Sequence, residues 1–220
     1  MIVKALIFDL GNVVIDIDFE RIFKKWSFYS GVPAKEMQRV FQIDAAYEQH
    51  ERGEIDGTEY HQHLEQTLEM RLSYEQFCEG WNDIMVAPIG NTVRLLESLR
   101  DRVPLYALSN ANTLHKNFWE KNFHAELSHF QRVFVSSDLG SRKPESEIYL
   151  LALEHIGVEA ENVIFFDDLA INVEAARTLG MTAVQVHSPL DVENCIAAIF
   201  KKQNHLMPSR SLVNEFYRFL

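Results

Sequence analysis

Four short segments of the chain carry side chains able to act on an anion. The first is Phe8-Asp9-Leu10-Gly11-Asn12, where a carboxylate ends an apolar run from Ile2 to Phe8 broken only by Lys4. The second is Ser109-Asn110, which closes the apolar stretch Val103 to Leu108. The third is Lys143 in Ser141-Arg142-Lys143-Pro144-Glu145, and the fourth is Asp167-Asp168 after Val163-Ile164-Phe165-Phe166. Asp9 has the chemistry of a nucleophile or a metal ligand. Ser109 and Asn110 offer hydrogen bonds to an anionic oxygen. Lys143 offers a compact positive charge where a helix is expected to start, and free N–H groups at such a terminus also favour anions. Asp167 and Asp168 add carboxylates for a hard cation such as Mg²⁺, which takes oxygen ligands from one or two protein carboxylates, waters and phosphates. A carboxylate, a phosphate cradle and a cation together describe phosphoryl transfer.

These residues need elements that bring them to one edge. Residues 88–200 alternate strand-like and helix-like segments. Strands are expected over Val103–Leu108, Val133–Val135, Val163–Phe166 and Ala183–Val186. Helices are expected over Glu145–Ile156, with Pro144 in its first turn, and over Asn172–Leu179, stopped by Gly180. Such alternation predicts right-handed crossovers and a parallel sheet, with ligands at the strand C-termini.

Residues 16–87 show no comparable strand pattern. Phe19, Ile22, Phe23, Trp26 and Tyr29 follow helical spacing; so do Met37, Val40 and Phe41, then Tyr60, Leu64 and Leu68, then Phe77, Trp81 and Ile84. Ser73 with Gln76 reads as a capping box. The aromatic stripe reads as the core of a helical block. The fold class expected is α/β, a Rossmann-like doubly wound parallel sheet with an inserted all-helical cap. Its parts are a core of residues 1–15 and 88–200, a cap of residues 16–87 and a tail of residues 201–220. In the tail, Leu212, Val213, Phe216, Tyr217 and Leu220 could form an apolar face.

In order, spacing and content, the four segments resemble the motifs of the haloacid dehalogenase-like superfamily, and the helical insert resembles that superfamily's first-position cap. More narrowly, FDLGNVVIDIDF, QHERGEI, LSN, DLGSRKPE and FFDD resemble the bacterial α-D-glucose-1-phosphate phosphatase branch. The resemblance implies that Asp9 attacks phosphorus, forms an aspartyl-phosphate and binds Mg²⁺. It implies Asp168 as the second direct carboxylate and Asp167 as its orienting neighbour. Ser109 and Asn110 would hold the phosphate, and Lys143 would neutralise nucleophile and phosphate. The implied substrate is a small phosphorylated metabolite.

One position departs from that pattern. Two residues after the nucleophile, where most of these phosphatases carry an aspartate as general acid and base, stands Gly11. Its carbonyl can still bind the metal. A general acid contributes on the order of 10²–10⁴-fold, so a substrate with a better leaving oxygen, such as a sugar 1-phosphate, is expected. The cluster Glu48, His50, Glu51 and Arg52, before Gly53 where a helix breaks, offers a replacement: His50 as proton donor and Arg52 for substrate hydroxyls or phosphate.

Other residues read more plainly. Asp16 and Asp18 are expected as solvated loop acids, and His61, His63, His115, His124, His129 and His155 as surface histidines. Asn12 fills the turn, and Asn172 ties the acid loop to its helix. A carbon–halogen hydrolase would use the same aspartate without a metal, but adjacent acids with no cation would repel. A non-catalytic phosphate-binding member of the fold is the other alternative that Gly11 allows.

The totals narrow the classes further. A net charge of -11 argues against a nucleic-acid partner. Two distant cysteines, Cys78 and Cys195, fit a reducing, cytoplasmic compartment. The N-terminus lacks signal-peptide features, and no apolar run approaches the roughly 18 residues of a membrane helix. No protein partner is identifiable, and no phosphate-loop motif of nucleotide-binding type occurs.

Overall fold

The computed structural model describes residues 2–204. Its strands are β1 (Ala5–Phe8), β2 (Ile15–Ile17), β3 (Met85–Pro88), β4 (Leu105–Ser109), β5 (Arg132–Val135), β6 (Val163–Asp167) and β7 (Thr182–Gln185). Five of them form a parallel sheet in the order β5-β4-β1-β6-β7. β1 is central because both its faces are apolar. Leu6 and Phe8 enter one core cluster, and Ala5 and Ile7 enter the other.

Five helices belong to residues 19–82: α1 (Phe19–Ser30), α2 (Ala34–Val40), α3 (Ala45–Glu51), α4 (Gly57–Thr67) and α5 (Tyr74–Asn82). The rest flank the sheet: α6 (Gly90–Leu99), α7 (Thr113–Asn122), α8 (His124–Leu127), α9 (Ser136–Leu139), α10 (Ser146–Ile156), α11 (Ala170–Thr178) and α12 (Pro189–Asn204). Residues of α6, α7, α8 and α12 pack on the Leu6 and Phe8 face, and residues of α10 and α11 on the opposite one. The sheet is therefore doubly wound, as expected. Among the described residues, no helix is long and apolar enough to cross a membrane. The expected apolar face of the tail lies outside the described residues.

Local chemistry moves several boundaries. β4 starts at Leu105, since Pro104 has no N–H for the ladder. α10 starts at Ser146, so Pro144 stands in the loop rather than in the first turn. α11 starts at Ala170, earlier than expected, because the Leu169 N–H donates to Asp167 Oδ1 at 2.9 Å and begins the turn.

The helical block has its own core, including Ile22, Phe23, Trp26, Tyr60, Phe77 and Trp81. Trp26 and Trp81 stack with centroids 5.8 Å apart. Gly80 permits this packing, since a Cβ there would lie 2.3 Å from the Trp26 ring. The Ser73–Gln76 capping box is present. An antiparallel ribbon of β2 and β3 joins the block to the sheet, contrary to the expectation of no strands in residues 16–87. Strands of three and four residues are too short to display alternation. Asp18 is no loop acid: it caps α1, accepting from the Glu20 N–H at 2.8 Å. His61 and His115 are buried rather than exposed, packed on Phe77 and Trp81 with centroids at 4.8 and 5.1 Å.

Candidate active site

Asp9 follows β1 directly, and its N–H donates to the Phe166 carbonyl at 2.8 Å. Since Phe8 pairs with Phe166, the next residues on the two strands, Asp9 and Asp167, emerge side by side. β4 leaves β1 on one side and β6 on the other, so the strand order reverses at β1, where open α/β sheets bind ligands.

Lys143 reaches this edge from the loop before α10. Its Nζ lies 2.9 Å from Asp9 Oδ1 and 2.7 Å from Asp167 Oδ2, and its side chain is buried. Asp167 also accepts from Asn172 Nδ2 at 3.0 Å, as expected of Asn172. Asp168 is only half-buried and accepts from Asn12 Nδ2 at 2.9 Å. Asn12 does more than fill a turn. At φ 55° it adopts the left-handed conformation that asparagine tolerates, and it ties the acid loop to the segment after β1.

Carboxylate oxygens of Asp9, Asp167 and Asp168 lie within 4.8 Å of one another. Three carboxyl groups face one ammonium, so acids outnumber cations in the cluster. The Asp9 carboxyl is pushed up to about 7, first by burial and then by Asp167, with Lys143 pulling it down. Burial also raises Asp168, and the Asn12 hydrogen bond opposes it. Burial alone would lower Lys143, but Asp167 and Asp9 outweigh it and keep the ammonium charged. A hard divalent cation would supply the missing charge, and the all-oxygen donors fit one. Asp167 has both oxygens engaged by Lys143, Asn172 and Leu169. Asp9 and Asp168 are the freer ligands.

Ser109 ends β4, buried, next to the cluster's strand. Asn110 has a task beyond the one expected. Its Oδ1 accepts from the Lys143 N–H at 2.7 Å and its Nδ2 donates to the Lys143 carbonyl at 2.8 Å. The amide thus holds the lysine loop, with the second of its two Nδ2 hydrogens left outside that clamp.

Residues 3–180 match the haloacid dehalogenase-like hydrolases. The chain belongs to this family. It is 21% identical over 194 residues to a D-ribitol-5-phosphate phosphatase of Bacteroides thetaiotaomicron, covering 86% of this chain and 94% of the relative. It is 28% identical over 192 residues to a sesquiterpene phosphatase of Aspergillus oryzae, covering 85% and 91%. A family enzyme of Bacteroides thetaiotaomicron, solved with magnesium and inorganic phosphate, superposes with a TM-score of 0.73 at 27% identity, covering 83% of this chain and 93% of that one.

Within this haloacid dehalogenase-like hydrolase, Gly11 forms a bridge with Ile15, and a Cβ there would lie 3.1 Å from Ile17 Cδ1. The β2 segment thus covers the place where an acid would stand. The two expected substitutes have partners of their own. His50 is buried against Tyr60, centroids 4.4 Å apart, and burial lowers it to about 4, so it is neutral at pH 7 and not a ready proton donor. Arg52 donates through Nε to Glu54 at 2.7 Å and through Nη1 to Glu145 at 2.9 Å. The sequence reading missed Arg142, whose Nε lies 2.7 Å from Glu51 Oε2. Two residues 91 apart in sequence give no spacing signal.

Proposed function

We propose that this chain is a Mg²⁺-dependent phosphatase of small phosphate monoesters, working through an aspartyl-phosphate on Asp9. The observation that carries the reading is the buried Lys143 ammonium bridging Asp9 and Asp167, with Asp168 beside them and more carboxyl groups than cations. Asp9, Asp168 and the Gly11 carbonyl would hold the cation, with Asp167 orienting the acid pair. When bound, Mg²⁺ neutralises charge on the transferring phosphoryl group.

The protein's own groups do the rest. Asp9 Oδ1 is held by the Leu10 N–H at 2.7 Å and by Lys143, which fixes the plane of the attacking carboxylate. The Ser109 hydroxyl and the Lys143 ammonium hold the phosphate oxygens. No side-chain acid stands at position 11. The preferred leaving group is therefore one that departs with little proton help, such as the anomeric oxygen of a sugar 1-phosphate, with α-D-glucose 1-phosphate as the leading candidate. The relative that acts on ribitol 5-phosphate supports a phosphorylated carbohydrate. Both cysteines are free, in keeping with the cytoplasmic location we assign.

Phosphate release from a panel of sugar phosphates tests this. Turnover should vanish with EDTA and return with Mg²⁺. Asp9→Asn should cut kcat by at least about 10³-fold with the fold intact. Normal hydrolysis by the folded Asp9→Asn protein would end the mechanism.

A further inference from the structure

The loop that carries Lys143 is held from two sides. On the sheet side, the Asn110 amide bonds both backbone groups of Lys143. On the cap side, the adjoining Arg142 places Nε on Glu51 Oε2 at 2.7 Å and Nη1 on Glu48 Oε1 at 3.0 Å. Both acids lie on α3. This is no loose surface pair, because the Arg142 and Glu51 side chains are only 14% and 8% exposed. Burial raises the Glu51 carboxyl, against which Arg142 and the Tyr47 hydroxyl act by pairing with it.

The end of α3 is itself docked on the sheet domain. Ser136 Oγ donates to the Glu51 carbonyl at 2.7 Å and also accepts from the Ala111 N–H at 2.8 Å. Gly53, at φ 71°, packs so closely that a Cβ would lie 2.6 Å from the Ser137 carbonyl oxygen. One serine thus joins the end of α3 to the turn after Ser109-Asn110. Lifting α3 from this seat would pull on Arg142, the residue bonded directly to Lys143.

We infer that Glu51 is a positioning residue, through which the docked cap sets Arg142 and with it the Lys143 ammonium between Asp9 and Asp167. Exchanging both partners of a buried ion pair for neutral groups often changes stability little, whereas removing one partner destabilises. The catalytic effect of the link lies in where the loop sits, and a displacement of about 1 Å in a catalytic group can cost on the order of 10²-fold. The inference rests on the phosphatase reading and adds to it a coupling between cap docking and lysine placement.

The test uses the full chain with Mg²⁺ and p-nitrophenyl phosphate, whose leaving group needs no acid. kcat, KM, the Mg²⁺ half-saturation and the thermal midpoint are measured for Glu51→Gln, Arg142→Gln and the double variant. Each single change should lower kcat about tenfold, with Mg²⁺ half-saturation unchanged. The double variant should be no slower than the slower single, since both break one link. Wild-type kcat in the singles, losses that multiply in the double, or a loss that follows Mg²⁺ affinity would each overturn the assignment. If Glu51→Gln fails to fold, Arg142→Lys takes its place: it keeps the charge but cannot span Glu48 and Glu51, and a wild-type kcat there overturns the proposal equally. A wild type inactive on every phosphate ester would instead refute the phosphatase reading.

Discussion

The floor of the site and the core of the cap both bury titratable groups, but by opposite means. On the floor, Lys143 stays charged because its Nζ lies within hydrogen-bonding distance of Asp9 and Asp167, while burial pushes the Asp9 carboxyl up to about 7. In the cap region, His50 of α3 and His115 of the sheet-domain helix α7, which packs on the cap's Trp81, are buried by staying neutral, held at about 4 and about 3 by burial, with His50 further lowering His115 and Asp56 partly opposing the effect on His50. The floor keeps a surplus of negative charge and so has an unmet demand for a cation. The cap region has no such demand, because His115 pairs with Asn82 at 3.0 Å and both rings stack on aromatic neighbours. Reactivity belongs where charge is retained.

This contrast can be broken from either side. The largest effect is expected for Lys143→Met, which leaves Asp9 and Asp167 adjacent without their cation. kcat/KM should fall about 10²–10³-fold. In EDTA the protein should lose roughly 3–5 kcal/mol of stability, the cost of breaking a buried pair. An unchanged melting curve in EDTA would mean that the floor does not depend on the ammonium.

The cap region should respond to acid instead. A histidine with a folded pKa below its unfolded value of 6.5 is protonated first in the unfolded chain. Its contribution is complete above pH 6.5 and is lost as pH falls toward 4, at roughly 1.4 kcal/mol per pH unit per histidine. Urea midpoints of the wild type and of a His50→Gln, His115→Gln variant, measured between pH 7 and 5, check this, because the raised Asp9 carboxyl acts with the opposite sign over the same range and cancels in the difference. A difference that does not change with pH would show that the two imidazoles are not buried neutral.

A packing change in the cap should spare the floor. Gly80→Ala drives a methyl into the Trp26 ring and should cost about 1–3 kcal/mol, read by thermal melting. The Mg²⁺ half-saturation should stay at the wild-type value, and a shift in it would mean that the two regions are not separable in this way. The smallest effect is a gain. Gly11→Asp needs only a slight shift of Ile17 Cδ1, 3.1 Å from the new Cβ. It should raise turnover of glucose 6-phosphate about threefold to tenfold relative to glucose 1-phosphate, a fraction of what an evolved acid supplies. An unchanged ratio would show that leaving-group protonation does not limit this enzyme.

Much of the floor was legible in the sequence because each of its residues follows a buried strand or opens a loop beside one. Asp9, Ser109 and Asp167-Asp168 sit at strand ends that apolar runs announce. Lys143 could be named from its motif, but not its double contact, which depends on how β1 and β6 pair. The sheet and the helical periodicity of the cap were equally visible. The β2–β3 ribbon was not, for want of length. The histidines misled because a polar residue on a helix reads as exposed until the face opposite it is known. His61 and His115 meet aromatic partners from other helices. The Asn110 clamp and the Arg142–Glu51 pair were hidden for the same reason, since tertiary partners leave no local period.

The paired strands β2 and β3 have a consequence for how such a protein can be rebuilt. The chain leaves the sheet domain at Ile15 and returns at Pro88, and these two residues face each other in the ribbon. An insertion whose ends are already joined adds loop-closure entropy only slowly as it lengthens. Helical blocks of other sizes that keep the Glu48 and Glu51 contacts to Arg142 could be grafted between Ile17 and Met85 without moving Asp9 or Lys143. The ribbon is thus a socket, and the Arg142 contact is the key that any replacement must carry.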